Sequence, residues 1–570
     1  MINKAQWLDH LIHATPIEGY GNRMSTFLIS LEAWRRGIDV KFFTIDDPDN
    51  KLLIRYALSH NDRTVSFNSS LSLQLPDETY NLCQDKDLTK KQLAKYGIRV
   101  PRGEKLEKSV DLNYLSKLAT ELTYPVVMKP VGENAGKGVF SNITDEPMLF
   151  ETFDYLTNDL GYDEVILEEF IEGEEHRLLS VGNKVVGVVK RVPANIIGNG
   201  KDTIRTLIRQ KNKAKRINPV VYNKIIEIDR EVENELSKSG YGLSDILEKD
   251  KQLFLRNKSN VSAGGDPVDV MDQIDESVIH IGERAAKAIP GIELGGIDMI
   301  INPKTKEKVI IEINTKPMIG LHVFPEKGEP RDVVKEIVDF YFPETKDIKR
   351  SRLYFDFNRV TRSLDHVTTR EIKLQRPPLI DFHAKRFLVS TERGHSQLRR
   401  EIRRMAVSEG LYGYAKGVKP NTIEVILASP DENKVERFFA THFNQTDYTF
   451  DIQEESIWEH PINIGFVTSR YSNNVTLAEK HIREANNHIK QVSRSHEREI
   501  DKLSERLEES KKQKKIYQEA FRKLEKQKNK LKKLEKQQLS TIEKQKEEIE
   551  WLKAELNRTL LRRIIKSKRV

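Results

Sequence analysis

Three stretches of this sequence hold the residue types that chemistry on a phosphate group needs. In VVMKPVGENAGKGVF (residues 126–140) an apolar run of strand character delivers Lys129, and a loop with Gly132, Gly136 and Gly138 follows. Glycines let backbone N–H groups approach phosphate oxygens, and a lysine at a strand end supplies a point charge. In VILEEFIEGEEHRLL (residues 165–179) a strand ends in Glu168-Glu169-Phe170-Ile171, turns at Gly173 and resumes through Glu175 and Arg177. Carboxylates at a strand end can receive the amino and hydroxyl donors of a nucleoside while an apolar neighbour packs on its base. In IELGGIDMIINPKTKEKVIIEIN (residues 292–314) two apolar runs flank a polar turn near Thr305. A hairpin centred there sets Asp298 opposite Glu312, with Asn314 on the same face two residues on. Two carboxylates and an amide oxygen form a hard-oxygen cluster suited to Mg²⁺. Were these acids structural rather than ligands, a compensating Lys or Arg would be required, and Lys316 is one candidate.

The elements around these residues read as several folded units. A helical stretch over 24–36 closes at Gly37, and the β-rich DVKFFTI follows, as expected for a glycine-capped helix leading into a strand. The segment DKDLTKKQLAKYGIRVPRG predicts a short helix closed by Gly97 and an extended exit through Val100-Pro101. Strands follow from Tyr124 to about Arg191, then a polar helical stretch over 203–250, then strands again over 292–314. The predicted organisation is an N-terminal α/β domain over 1–84, a nucleotide-binding domain over 85–345, a linker over 346–380, a compact α+β domain over 381–465 and a helical tail over 473–570. A chain of 570 residues exceeds what one core supports, so several units are required.

Charged residues make up 32% of the chain, high enough to imply an elongated polar part. That part is the tail, where apolar residues from Ile500, Leu503 and Leu507 to Ile549, Leu552 and Leu556 fit one heptad frame. Lys514, Lys528, Glu535, Gln538 and Gln545 interrupt the frame, which weakens a coiled coil while helping to set its register. The net charge of +8 is concentrated in this region, and the basic end LLRRIIKSKRV is read as solvated, with peripheral contact to anionic lipid as the alternative. Nucleic acid is not the expected partner. No run of about 18 apolar residues is present, so no membrane span is expected. The sole cysteine, Cys83, excludes an intrachain disulfide and points to a cytoplasmic setting.

The ordered series DKDLTK, VVMKPVGENAGKGV, EEFIEGEEHRLL, KRVPANIIGNGKDTI, LRNKSNVSAGGDPVDV, GGIDMI and IIEINTKPMIGLHVFPEKGEPRDVV resembles the ATP-grasp domains of cyanophycin synthetases and bifunctional bacterial glutathione synthetases. The resemblance covers about residues 85–325. It implies an ATP-dependent carboxylate–amine ligase that works through an acyl phosphate, with ATP and Mg²⁺ as cofactors (two ions, Mn²⁺ as a substitute). By the same resemblance, Lys90 and Lys129 hold the ATP phosphates and the loop from Gly132 through Gly136 to Gly138 closes over them. Glu168 and Ile171 meet adenine, and Glu175 the ribose. Asp298, Glu312 and Asn314 bind the metals. Arg191, Arg256 and the turn over 262–265 contact the transferring phosphate or the acceptor carboxylate. The expected partners are small-molecule carboxylate and amine substrates, an amino acid, peptide or cell-envelope precursor among them, with a homo-oligomer or protein partner held through the coiled coil.

Departures from the family pattern are visible. Asn199 stands where relatives usually carry aspartate. Gly296 stands where D-alanine ligases place an arginine, two residues before the metal aspartate, although cyanophycin-type relatives lack it too. The partner halves of both bifunctional families are absent, so substrate identity does not carry over. Residues 382–427 resemble an acylphosphatase in a ferredoxin-like order: Arg399 falls at the phosphate arginine, but Gly417 replaces the catalytic asparagine, which implies an accessory domain without hydrolysis. The fold class expected is therefore an α/β ATP-grasp assembly plus a ferredoxin-like α+β domain and a long C-terminal coiled coil. The alternatives are an ATP-binding scaffold that has lost catalysis and, less favoured, an acylphosphatase.

Overall fold

The computed structural model describes residues 7–16, 19–46, 52–132, 138–257, 259–365, 368–391, 394–443 and 449–469, with 523, 528, 530–531, 538, 545–547 and 549–555 of the C-terminal region. The chain divides into two compact units, 1–471 and 472–570.

At the N-terminus of the first unit the helix Met24–Arg35 is buried along nearly its whole length. Such a helix must be covered on all sides. One cover is an antiparallel sheet in the order Glu371–Lys373, Asp39–Asp46, Leu52–His60, Arg63–Asn68, Leu71–Ser72. Another is the helix Val333–Tyr341. Phe355 and Phe357 complete the enclosure, their rings 5.4–6.2 Å from those of Phe27 and Trp34.

These partners show what residues 346–380 do. The sequence reads them as a linker. In the structure Leu353–Tyr354 pairs in parallel with Ile462–Asn463, and Glu371–Lys373 extends the N-terminal sheet beside Asp39–Asp46. Between them the helix Phe357–Leu364 buries Phe357, Val360, Thr361 and Leu364, an i, i+3, i+4, i+7 period that the linker reading passed over.

The middle of the unit contains two sheets that meet at residues 170–173. The first is antiparallel in the order Gly103–Glu107, Glu164–Glu169, Val126–Pro130, Phe140–Ile143, backed by the helices Leu112–Leu122 and Glu146–Asp154. The second runs Asp266–Asp269, Lys184–Val192, Glu174–Val181, Leu294–Ile301, Lys308–Asn314, again antiparallel. Helix Glu276–Ala288 lies against its apolar face at Gly282, where a Cβ would stand 2.5 Å from Leu178 Cδ2. The helices Ile204–Lys215 and Arg230–Lys238 enclose a small core of their own with Leu247, Leu253 and Leu255.

Residues 383–457 follow the order strand, helix, strand, strand, helix, strand: His383–Ser390, His395–Ser408, Tyr412–Lys419, Thr422–Ser429, Glu432–Phe443, Asp451–Ile457. The first strand lies between the third and fourth, and the third between the first and second, which is the split β-α-β arrangement of ferredoxin-like domains. Phe466–Ser469 adds a parallel edge strand beside Tyr412–Lys419. Arg399 is buried on the first of these helices and Gly417 lies on the second strand.

Of the tail, residues 545–547 and 549–555 are helical, with Ile549 and Leu552 exposed. The remainder of the heptad expectation over 473–570 lies largely outside the described residues, as does the basic end over 560–570. Among the described residues no helix is long and apolar enough to cross a membrane.

Candidate active site

Helix Lys86–Lys95 starts where the Asp85 side chain accepts from the N–H groups of Asp87 (2.8 Å) and Leu88 (3.0 Å). One turn on, Lys90 Nζ donates to Glu168 Oε2 at 3.0 Å, and Lys129 Nζ donates to Glu168 Oε1. All three side chains are buried. Two lysines predicted separately for the phosphates thus converge on one carboxylate. Burial pushes the Glu168 carboxyl up, but Lys129 and Lys90 together outweigh it and hold it below the ordinary glutamate range. Lys86 Nζ reaches Val131 O at 3.4 Å. Gly132 is exposed with open space around it, and Gly138 has φ +67°, where a Cβ would meet Pro130 Cγ at 2.9 Å. Gly136 lies outside the described residues.

The neighbouring Glu169 faces the other way and is taken up by Arg99 (2.7 Å) and Arg102 Nε (2.9 Å). Phe170 is exposed and Ile171 half-buried at the passage between the two sheets. Gly173 permits that passage: a Cβ there would stand 2.6 Å from Ile301 O.

Glu168→Gln keeps one acceptor oxygen but leaves two buried ammonium groups without an anion. Its expected effect is a loss of about 2–3 kcal/mol at neutral pH, read by urea denaturation. A depressed carboxyl contributes stability that is full above its unfolded pKa and is lost as pH falls through the folded one. The variant should therefore lose less stability than wild type on acidification, and parallel acid limbs would contradict the ion pairs.

On the second sheet Asp298 pairs with Glu312 and Gly296 with Asn314, with a bulge just beyond Asp298. This is the register read from the turn at Thr305. On its other side Asp298 pairs with Arg177. The Arg177 guanidinium forks onto Asp298, Nε to Oδ1 and Nη2 to Oδ2 at 2.8 Å. Arg191 Nη1 donates to Glu175 Oε1 and, at 3.3 Å, to Asp298 Oδ2. Ser259 Oγ donates to Glu175 Oε2 at 2.7 Å, and Asn314 Nδ2 to Glu312 Oε1 at 2.8 Å.

The compensating charge comes from arginine and not from the candidate Lys316. Lys316 is exposed and donates to Asn68 Oδ1 at 3.0 Å, whereas the carboxylates are balanced by Arg177 and Arg191. Arg177 went unassigned in the sequence because its role depends on which strand lies beside Asp298. A signal was nevertheless present in Gly296: a Cβ there would be 3.0 Å from Arg177 Nη1 and 3.1 Å from Pro317 Cβ. The glycine at the position where D-alanine ligases carry an arginine leaves room for a guanidinium from the adjacent strand.

Burial would push Asp298 up, but Arg177 and Arg191 hold it below the ordinary range. Glu312 is raised, by burial first and then by Asp298 across the hairpin, and Lys86 lies within electrostatic reach of it. Two facing carboxylates, one short of positive charge, and an amide oxygen on the same face fit a hard divalent cation. Arg177 already engages both Asp298 oxygens, so metal and guanidinium would compete for that side chain. His322 is buried, with Nδ1 lacking a partner, and burial followed by the nearby arginines drives it down to about 3, so its ring is neutral.

The remaining candidate residues have the following partners in the ligand-free protein. Arg256 donates to Asp229 Oδ2 at 2.6 Å and to Glu231, at the start of helix Arg230–Lys238. Asn199 closes its own turn, accepting from Asp202 N–H at 2.8 Å and Lys201 N–H at 3.0 Å. The turn over 262–265 is shaped by Gly264 at φ +96° against Ile226. Beside it lies a buried network not foreseen in the sequence, with Lys215 Nζ donating to Asp266 Oδ1 (2.7 Å), Gly265 O (3.0 Å) and Glu326 Oε2 (3.1 Å).

Known proteins resemble the part of the chain that holds these residues. Residues 83–319 match the model of the ATP-grasp domain. A cyanophycin synthetase of Geminocystis herdmanii is 34% identical over 274 residues, 46% of this chain and 30% of that protein. A glutathione biosynthesis bifunctional protein of Clostridium perfringens is 31% identical over 334 residues, 56% of this chain and 41% of that protein. The chain therefore spans less than half the length of these curated relatives. A crystal structure of a bifunctional glutathione synthetase from Pasteurella multocida aligns over 57% of this chain and 45% of that chain, at 24% identity and a TM-score of 0.43.

Proposed function

We propose that this chain is an ATP-grasp carboxylate–amine ligase that uses Mg-ATP to activate a substrate carboxylate as an acyl phosphate, which an amine then converts to an amide. The reading is carried by one observation. Lys90 on helix Lys86–Lys95, Lys129 on the first sheet, and Asp298, Glu312 and Asn314 on the second all fall within the residues that match the ATP-grasp model, and Lys86, at the start of that helix, is within electrostatic reach of Glu312.

In this mechanism Lys90 and Lys129 exchange Glu168, with which both pair in the ligand-free protein, for phosphate oxygens of the nucleotide. This makes Glu168 a counter-ion for the lysines as much as a contact for adenine, while Ile171 packs on the base and Glu175 receives the ribose. The glycine loop over 132–138 covers the phosphates. Mg²⁺ held by Asp298, Glu312 and Asn314 would neutralise charge on the transferring phosphoryl group. Arg191 orients the acceptor beside that cluster. Arg256, paired with Asp229 and Glu231 in the ligand-free protein, contacts the transferring phosphate or the acceptor carboxylate with Arg191. Positioning and electrostatics do most of the work in such transfers.

The ferredoxin-like domain is assigned a structural role, and the tail an oligomeric or partner-binding one in the cytoplasm. Purified protein given Mg-ATP and pooled amino acids or small peptides should release phosphate only when both a carboxylate and an amine acceptor are present. Nucleotide binding without acceptor-dependent release from any pool would favour the scaffold reading instead.

A further inference from the structure

The segment between helices Ile204–Lys215 and Arg230–Lys238 carries Lys224, a residue only 7% exposed. Its ammonium donates to Met318 Sδ at 3.0 Å, and among the described residues no carboxylate pairs with it. A thioether is a weak acceptor, and a buried cation without an anion is costly. The contrast within the chain is sharp. Lys90 and Lys129 share Glu168, Lys211 meets Asp266, and Lys215 meets Asp266 and Glu326. The charge felt at Lys224 is instead of like sign, from Arg191, and burial together with that neighbour pushes the amine down to about 8. Arg191 is itself incompletely used, because its Nε is buried without a partner while Nη1 holds Glu175 and Asp298. Met318 lies four residues beyond Asn314 and is followed by the short helix Gly320–Val323. Two buried cations with donors to spare thus lie within electrostatic reach of each other, Arg191 on Asp298 and Lys224 on the Met318 side chain that follows Asn314 in the chain.

We propose that Lys224 and Arg191 together form the seat for the substrate carboxylate, so that the acid to be activated is received by an ammonium and a guanidinium beside the carboxylate cluster. The assignment rests on the ligase reading above. It identifies the acid substrate by its free carboxylate group, and it explains an otherwise unbalanced buried charge as a binding site awaiting its counter-ion.

Thermal unfolding of the full chain in Mg-ADP tests it, with sodium acetate as the carboxylate probe and equal sodium chloride as the control. Wild type should gain several degrees with acetate over chloride. Lys224→Met, similar in length and without the charge, should unfold no lower than wild type in chloride and should lose the acetate gain, while Lys224→Arg should keep it. A Lys224→Met protein that unfolds lower than wild type in chloride, or that keeps the acetate gain, overturns the seat. Inorganic phosphate replaces acetate in a second arm, and a gain with phosphate alone overturns the carboxylate assignment. If Mg-ADP itself gives wild type no shift, the ligase reading falls and takes the seat with it. A normal Mg-ADP shift in both proteins with unchanged acetate behaviour overturns only the seat.

Discussion

Glu312→Gln is expected to lower acceptor-dependent phosphate release from Mg-ATP by about 10³-fold or more while leaving the protein folded. The side chain sits on Lys308–Asn314 opposite Asp298 and accepts from Asn314 Nδ2, a bond that the glutamine oxygen retains. The change therefore removes charge with little change of shape. Glu312 is raised by burial and by Asp298, so neutralising it relieves repulsion in the ligand-free protein. Melting in the absence of divalent ions should be unchanged or higher, whereas Mn²⁺ binding followed by electron paramagnetic resonance should weaken at least tenfold. Activity within tenfold of wild type, or unaltered Mn²⁺ affinity, would remove the hairpin from the metal site.

Arg177→Leu carries the largest expected loss of stability. Asp298 is buried and receives two hydrogen bonds from this guanidinium, leaving Arg191 with one contact at 3.3 Å to balance it once Arg177 is gone. Removing one partner of a buried pair typically costs about 3–5 kcal/mol, because the other charge stays behind. The denaturation midpoint in urea should fall accordingly. A second readout separates this from ordinary loss of packing. If Asp298 binds the metal as proposed, metal and guanidinium compete for it, and millimolar Mg²⁺ should stabilise Arg177→Leu more than wild type. Equal Mg²⁺ gains in the two proteins would show that the arginine and the metal do not share the carboxylate.

The features legible in the sequence are those written locally. The Asp298–Glu312 register follows from two apolar strands and one turn, so counting outward from Thr305 suffices. Lys129 and the glycines lie within a single strand-loop stretch, whereas the ferredoxin-like order over 383–457 was implied by a resemblance and not by a period in the residues. Lys316 as the counter-charge was a choice by proximity along the chain, and it failed because a strand neighbour from 121 residues away supplies the arginine. Arg256 and Asn199 are engaged by side chains and backbone near them, which motif order does not reveal. Lys224 gave no signal at all, since a lysine without an anion is recognisable only once its surroundings are assembled.

The strand Glu371–Lys373 has a consequence for how the molecule is made. It closes an edge that begins at Asp39–Asp46, and Trp34 Nε1 donates to Gln375 O at 2.7 Å across 341 residues of sequence. During synthesis the first sheet emerges with that edge open and stays so until the far segment leaves the ribosome, and Leu353–Tyr354 in turn waits for Ile462–Asn463. An exposed strand edge recruits other strands, and long-range closure is slow. The N-terminal sheet is therefore the part of this chain most in need of a chaperone while translation continues. A fragment ending at residue 345 would retain that open edge permanently and should be recovered largely as aggregate.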